Sequence, residues 1–309
     1  MTRPNFACVN ETKWPRTGAW TGSLRIIACG LLLYLIAAAQ VEAEQKTQWP
    51  RVVQSGHSLT DSIIDPLRSF VRFSGRRAAT IDASTIPGSP MDWRWSHPAN
   101  PDIRQPEVIG GYDVLVITER APLSGTVEWH NSSDWGLRWF EHAWQHGGNG
   151  RGAHTILYAT WVDVISGPDF DNPYNDIEGH LTFRERLPLE QRRWQKILDH
   201  VNTNKPDAAV DMVMIPGPLI MAAAYDDIKA GIAPGITHIS QLFEDSIHLN
   251  EMGSYLIALA HFSVIYKQDP RGLPQGVPAR GGPDKVQAKW MQDLVLDVLM
   301  RFPSDGFPG

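Results

Sequence analysis

The stretch Arg51–Phe73, RVVQSGHSLTDSIIDPLRSFVRF, decides the fold because an apolar strand runs into a helix through a single glycine. Arg51–Ser55 is a short run that favours a strand, and Asp61–Phe73 carries apolar residues at helical spacing. Gly56 lies between them and lets the backbone turn sharply. The stretch therefore predicts a first β-strand followed at once by a helix, the repeating unit of an α/β protein.

The rest of the chain repeats this alternation of strand and helix. Further apolar runs predict strands at Ala78–Ser84, Asp113–Thr118, Thr155–Trp161 and Ala209–Ile215. Helical patterns occur at Ser133–His146, Leu189–Asn202, Leu249–Tyr266 and Lys285–Phe302. We expect Ser133 or Asp134 to cap the first of these helices and Gly147-Gly148 to end it. Because the strand runs are apolar throughout, they predict a doubly wound parallel sheet of about five strands, covered by helices on both faces.

Composition and charge limit the classes of function. The chain has 309 residues, of which 42% are hydrophobic and 20% are charged, the balance of an ordinary globular protein. Its 28 basic and 34 acidic residues give a net charge of −6 without a basic stripe, so nucleic acid is not an expected partner. Residues 44–309 are expected to form one domain, because no internal repeat or linker divides them.

Residues 1–43 are typical of a signal peptide. Basic residues precede the charge-free apolar run Ile26–Ala39, and Val41 and Ala43 fit a cleavage site. The run is short for a bilayer span, so a retained membrane anchor is the less favoured alternative. We expect a periplasmic or secreted protein that meets the membrane only during export. Cys8 and Cys29 both precede the cleavage site, which excludes a cysteine nucleophile, a thiolate metal site and a disulfide framework from the mature protein.

Two short segments carry residues suited to nucleophilic chemistry. Ser58 follows the first strand at the start of a helix, where free N–H groups and the helix dipole favour a developing negative charge. Asp245 and His248 precede the last helix but one. A serine hydroxyl needs a base to remove its proton, and a carboxylate on the other ring nitrogen fixes the tautomer of that base. Ser58 and Asp245 each also fit a helix cap, but the combination predicts a nucleophile, a base and an orienting acid.

These segments resemble the first and last blocks of the GDSL/SGNH hydrolase family. The resemblance rests on Gly56-His57-Ser58, in which His57 replaces the family's aspartate, and on Asp245-x-x-His248. It implies a three-layer α/β/α, flavodoxin-like fold. It also implies Ser58 as nucleophile, His248 as base and Asp245 as orienting acid, with the Ser58 N–H in the oxyanion hole.

The family's two middle blocks are matched less fully. By resemblance Gly88, after the second strand, supplies another oxyanion N–H. The family has an asparagine amide after the third strand, where this chain has Thr118-Glu119-Arg120. Thr118 is a candidate oxyanion donor, Glu119 is a candidate to contact substrate or orient another group, and Asn131 is an alternative amide. Loss of one oxyanion donor costs about 2.7–4 kcal/mol of transition-state stabilisation.

Aromatic and histidine residues suggest further sites. Trp93 and Trp95 follow the Gly88 turn and are expected to bind substrate, because loop tryptophans beside polar groups suit sugar rings. Trp135, Trp139 and Trp144 are better explained as the buried face of a helix. His142 and His146 have a spacing that can hold a metal, but the glutamate of the zinc-protease motif is absent. We therefore expect neither a metal nor a cofactor.

The resemblance implies a serine-dependent carboxylic-ester hydrolase that forms an acyl-enzyme. An O-acetylated carbohydrate is the favoured substrate class. The substrate is expected to be either a polysaccharide ester or a small-molecule ester. Two alternatives remain open. One is an acyltransferase that passes the acyl group to a sugar hydroxyl. The other is a catalytically silent carbohydrate-binding protein on the same fold, which the missing asparagine favours.

Overall fold

The computed structural model describes residues 49–75, 79–172, 175–276 and 278–302. The expected signal peptide and both cysteines lie outside these residues. The strands are β1 (Val52–Gly56), β2 (Ile81–Thr85), β3 (Val114–Ile117), β4 (His154–Ala159) and β5 (Val213–Pro216). The α-helices are α1 (Ser58–Phe73), α2 (Met91–Ser96), α3 (Pro106–Ile109), α4 (Leu123–Thr126), α5 (Ser132–Gly150), α6 (Phe183–Asn204), α7 (Gly217–Lys229), α8 (Glu251–Tyr266) and α9 (Lys285–Arg301). Short 3-10 helices occupy Ile239–Leu242 and Pro278–Arg280. Within the described part of the chain, no helix combines the length and apolar character needed to cross a bilayer.

The five strands form one parallel sheet in the order β2-β1-β3-β4-β5. The strand order reverses at β1, so the carboxyl ends of β1 and β3 flank the crevice where ligands bind in doubly wound proteins. Gly56 at the end of β1 pairs with Thr85, and Ser55 pairs with Ile117. The predicted α/β class and flavodoxin-like parallel sheet are confirmed.

Helices cover both faces of the sheet and bury an apolar cluster on each. Val52 belongs to the cluster under α1, α7, α8 and α9, while its neighbour Val53 belongs to the cluster under α2, α3, α5 and α6. Successive strand residues point to opposite faces, so an apolar strand is buried on both sides. Trp139 and Trp194, both almost fully buried, fill the second cluster. The strand segments of the sequence are apolar throughout because both faces of the sheet are covered.

Several element ends differ from the predicted ones for local reasons. β5 begins at Val213 rather than Ala209, because the Ala209 N–H donates to Pro206 O in a turn. α6 begins at Phe183, well before Leu189, because Thr182 and Glu185 form a reciprocal capping box.

The ends of α5 also follow from backbone geometry. Its N-cap is Asn131 in the left-handed conformation, which corrects the expectation of Ser133 or Asp134. Helical torsion angles end before Gly147, and Gly148 has φ of 56°. The predicted stop at Gly147-Gly148 is confirmed, since glycine adopts such angles without steric cost.

Candidate active site

Ser58 lies at the sharp turn from β1 into α1. A Cβ atom on Gly56 would lie 2.0 Å from Thr60 Oγ1, so the turn accepts only glycine at this position. His57 is the N-cap of α1, and its Nδ1 accepts from the Leu59 N–H at 3.4 Å. Ser58 is the first helical residue, and its N–H therefore has no acceptor inside the helix. The turn presents a hydroxyl and an N–H at the positive end of the helix dipole.

His248 and Asp245 lie on a closed loop before α8. The loop is closed by a hydrogen bond from Glu244 N to His248 O, at 2.8 Å. Asn250 caps α8 by accepting from the N–H groups of Met252 and Gly253. The cap and the loop closure together hold the imidazole at the start of α8. Because α8 packs directly on α1, this loop is brought to the serine turn.

The three side chains form a continuous hydrogen-bonded chain. Ser58 Oγ lies 2.8 Å from His248 Nε2, and His248 Nδ1 lies 2.7 Å from Asp245 Oδ2. Asp245 Oδ1 accepts from the N–H groups of Ile247 at 2.8 Å and His248 at 2.7 Å. The structure thus brings together residues 190 positions apart, as the sequence predicts.

The electrostatics of the chain favour one protonation pattern. Partial burial raises the pKa of Asp245, but the N–H groups of His248 and Ile247 and the His248 imidazole outweigh it, so the pKa lies below its ordinary value. An ionised Asp245 accepts the Nδ1 proton of His248. Nε2 is then left as the acceptor for the Ser58 hydroxyl, the arrangement that general-base catalysis requires.

A cleft of about 490 Å³ opens over this chain. Its wall includes Ser58, His248 and Gly88. Gly88 has φ of +65°, which favours glycine, and it lies in a turn closed by Ser89 N donating to Ile86 O at 3.2 Å. Among the described residues, the Gly88 N–H has no backbone acceptor. Gly88, the predicted second oxyanion donor, therefore lines the same cleft as Ser58.

The side chains of Thr118, Glu119 and Asn131, considered for the role of the family's asparagine, lie away from the cleft. Thr118 is 1% exposed and does not line the cleft, and its hydroxyl donates to Glu119 O. Glu119 is fully buried, its carboxylate accepts from the N–H groups of Met91 and Arg120, and it does not line the cleft. Asn131 donates its amide to Asp134 Oδ2 at 2.7 Å and lies outside the cleft wall. None of these three side chains lines the cleft that contains Ser58.

Trp93 and Trp95, which are expected from the sequence to bind substrate, do not line the cleft. Trp93 stacks on His97, with ring centroids 3.7 Å apart, and Trp95 packs edge-on against Trp139 in the core. Both follow from the fold of Met91–Ser96 into α2, which turns them away from the cleft wall. Trp129 lines the cleft instead and is 86% exposed.

The polar residues Asp163 and Ser246 line the cleft, although no role was predicted for them from the sequence. Asp163 follows β4 and accepts from Ser246 Oγ at 2.7 Å. The signal was its position just after a predicted strand, where the side chains of doubly wound sheets meet ligands.

His57, the residue before Ser58, is held by hydrogen bonds on both of its ring nitrogens. Its Nε2 donates to Glu119 O at 3.0 Å, while Nδ1 accepts from Leu59. Burial, together with the nearby Arg94 charge, lowers the pKa of His57 to about 4. His57 is therefore neutral at pH 7 and joins the start of α1 to the segment after β3.

The histidine pair considered for metal binding is part of the packing. His142 Nε2 donates to Ile103 O at 2.9 Å, and its ring contacts His146 at 5.0 Å between centroids. Within the residues that the structure describes, no cluster of three or more histidine, cysteine or acidic residues is arranged to hold a metal ion.

Comparisons with known proteins bear on the fold. No family model matches the chain, and no curated protein sequence matches it. The structure is similar to a DUF4886 family protein from Bacteroides uniformis, with 14% identity and a TM-score of 0.59, covering 83% of this chain and 96% of that chain. It is more distantly similar to a proposed SGNH hydrolase from Slackia heliotrinireducens, with 15% identity, a TM-score of 0.47 and coverage of 70% and 98%. An acetyl xylan esterase has 13% identity, a TM-score of 0.43 and coverage of 69% and 98%.

The chain has an α/β fold with a five-stranded parallel sheet, and it shares this fold with the DUF4886 family protein. At these identities the similarity concerns the path of the chain and not its chemistry. The function has to be argued from the Ser58–His248–Asp245 chain and the cleft above it.

Proposed function

We propose that this protein is a serine-dependent carboxylic-ester hydrolase. The observation that carries the proposal is the unbroken chain from Asp245 Oδ2 through His248 to Ser58 Oγ, with both contacts below 3 Å, at 2.7 and 2.8 Å. A helix cap alone needs no base beside the serine, whereas a nucleophile does. In this proposal Ser58 is the nucleophile, His248 the base and Asp245 the orienting acid.

The first half of the reaction forms an acyl-enzyme. The Ser58 hydroxyl gives its proton to His248 Nε2 as Oγ bonds to the ester carbonyl carbon. The carbonyl oxygen becomes an oxyanion, which accepts from the N–H groups of Ser58 and Gly88. The tetrahedral intermediate collapses, the alkoxy oxygen takes the proton from Nε2, and the alcohol leaves.

The second half restores the enzyme. A water molecule gives a proton to His248 Nε2 and bonds to the acyl carbon. The second tetrahedral intermediate collapses, Ser58 Oγ leaves and takes back the proton, and the carboxylic acid is released. Asp245 stays ionised throughout and stabilises the imidazolium formed in each half.

We further propose an O-acetylated carbohydrate as the substrate class. The support is Trp129, whose exposed ring on the cleft wall gives a sugar ring an apolar face to stack on. Asp163 and Ser246, on the same cleft, supply oxygen acceptors for hydroxyl groups. The cleft is open enough for a small ester or for one unit of a longer chain.

Export to the periplasm or the cell exterior is a proposal as well. Its support is the signal-like pattern of residues 1–43, which lie outside the described residues. Cleavage of the chain between Ala43 and Glu44 in an exporting host would be the matching observation.

The test is hydrolysis of short p-nitrophenyl esters by the folded protein and by Ser58→Ala. We expect turnover by the wild type and a loss of at least a thousandfold in the variant, because the nucleophile is removed. Equal rates would refute the assignment of Ser58. Faster transfer of acetate to an added sugar than to water would favour an acyltransferase. Polysaccharide binding without any turnover would favour a silent binding protein.

A further inference from the structure

One buried guanidinium joins the segments that form the cleft. Arg94, in α2, is 3% exposed, and all three of its nitrogens donate hydrogen bonds. Nε donates to Ser55 Oγ at 3.2 Å. Nη1 donates to both the carbonyl and the hydroxyl oxygen of Ser89, the latter at 3.2 Å, and Nη2 donates to Thr118 O. A buried cation is tolerated only where its donors are satisfied in this way.

The three residues that accept from Arg94 belong to the three segments around the oxyanion position. Ser55 precedes Gly56 at the end of β1, Ser89 follows Gly88, and Thr118 follows β3. Arg94 therefore links the turn before the nucleophile to the turn that carries the second oxyanion N–H.

The Gly88 turn depends on this link for its orientation. Ser89 closes the turn with both its N–H and its hydroxyl, which donate to Ile86 O at 3.2 and 2.6 Å. A Cβ on Gly88 would meet no atom within 4 Å, so side-chain packing does not hold Gly88 in place. Ser89 is the buried residue of the turn, and the hydrogen bonds from Arg94 Nη1 fix its position.

Glu119 supports the same arrangement from the other side. Its Oε1 accepts from the Met91 N–H at 3.1 Å, at the first residue of α2, and from the Arg120 N–H at 2.6 Å. Burial lowers the pKa of Arg94 to about 10, while the charge of Glu119 opposes this shift. Arg94 therefore remains a cation at neutral pH and keeps all of its donors.

We propose that Arg94 is a positioning residue, which fixes the Gly88 N–H relative to the Ser58 N–H so that both reach one oxyanion. This inference rests on the proposed ester hydrolysis. It gives a physical reason why a site without the third-block asparagine retains function, since two rigidly held donors need no reorganisation during the reaction. Because the oxyanion is absent from the bound ester and forms only as the reaction proceeds through its transition states and tetrahedral intermediates, loss of Arg94 lowers kcat and leaves KM nearly unchanged.

The test compares wild type, Arg94→Lys, Arg94→Met and Gln292→Ala on p-nitrophenyl acetate. Lysine keeps the charge but lacks the planar fork that reaches three acceptors. We expect kcat to fall roughly tenfold in Arg94→Lys and roughly a hundredfold in Arg94→Met, within the effect of losing one oxyanion donor. KM should stay within about twofold, as for an interaction made only in the transition state.

Gln292→Ala is the matched control for a structural effect. Gln292 is also buried, donates to Tyr255 Oη and Leu273 O, accepts from the Gly272 N–H and does not line the cleft. It should lower the free energy of unfolding without changing kcat per folded molecule. If the Arg94 variants do not fold, Ser89→Ala takes their place. It removes only the hydroxyl that accepts from Arg94 Nη1, and it should also lower kcat.

A second readout separates positioning from mere stability. A boronic acid that forms a tetrahedral adduct on Ser58 should lose affinity in the Arg94 variants in parallel with kcat/KM, whereas the affinity for the product carboxylate should not change. Unchanged kcat in folded variants, or a loss confined to KM, overturns the positioning role alone. A wild type that does not hydrolyse esters overturns the proposed function and this inference together.

Discussion

The Asp245→Asn substitution gives a quantitative test of the proton-handling pair. Asp245 Oδ1 is fixed by two N–H donors, from Ile247 and His248, at 2.8 and 2.7 Å. In the variant the carbonyl oxygen keeps this position, and the amide NH₂ group faces His248 Nδ1. Nδ1 must then become an acceptor, so the ring proton moves to Nε2. An Nε2–H cannot accept the proton of Ser58 Oγ, 2.8 Å away.

The expected loss follows from this change of tautomer. A wrong tautomer in a comparable triad lowers kcat by about 10⁴, or about 5.5 kcal/mol at 1.36 kcal/mol per decade. The assay is kcat on p-nitrophenyl acetate near pH 7.5, with thermal unfolding to verify that the variant is folded. Asp227→Asn is the matched control, because the Asp227 carboxylate also accepts from a ring N–H, that of Trp290, but does not line the cleft. A folded Asp245→Asn variant within tenfold of the wild-type kcat would refute the assigned role of Asp245.

Two further predictions concern the cleft wall and the core. Trp129→Ala should raise KM for an acetylated oligosaccharide and leave kcat on p-nitrophenyl acetate nearly unchanged. Trp93 is also an exposed tryptophan but lies outside the cleft wall, so Trp93→Ala should change neither this KM nor this kcat. An equal rise in KM in the two variants would contradict the stacking role of Trp129. Burial lowers the pKa of His261 to about 3. As the pH falls, the His261 side chain therefore binds a proton in the unfolded chain before it does so in the folded protein. The free energy of unfolding decreases below about pH 6.5, by roughly 2 kcal/mol at pH 5. His261→Leu should reduce the loss of unfolding free energy between pH 8 and pH 5 by about that amount, measured by urea denaturation; an unchanged difference would show that His261 does not titrate as stated.

The fold was largely predictable because its signals are local. Apolar runs such as Asp113–Thr118 mark strands buried on both faces, and β3 occupies Val114–Ile117 within that run. α7 was not predicted, since it starts at Gly217-Pro218 directly after β5, and these residue types usually indicate a turn. Proline in the first turn is compatible with a helix, because its missing N–H would have no partner there.

The residues of the candidate site were predictable only where the motif is contiguous. Ser58 and the Asp245/His248 pair each lie in a short segment of recognisable chemistry. The positions of Trp93 and Trp129 depend on how α2 and α4 pack, which no local pattern in the sequence specifies. Arg94 and Glu119 are of residue types that usually lie on the surface. They become buried only when the segments after β1, β2 and β3 are brought together in the fold.

The attachment site of a fluorophosphonate probe tests the central claim most directly. Mass-spectrometric mapping of the labelled protein should find one adduct, on Ser58, formed slowly in His248→Gln and absent in Ser58→Ala. A folded wild type that takes up no probe, or that carries the adduct on another residue, would contradict the claim that Ser58 is an activated nucleophile.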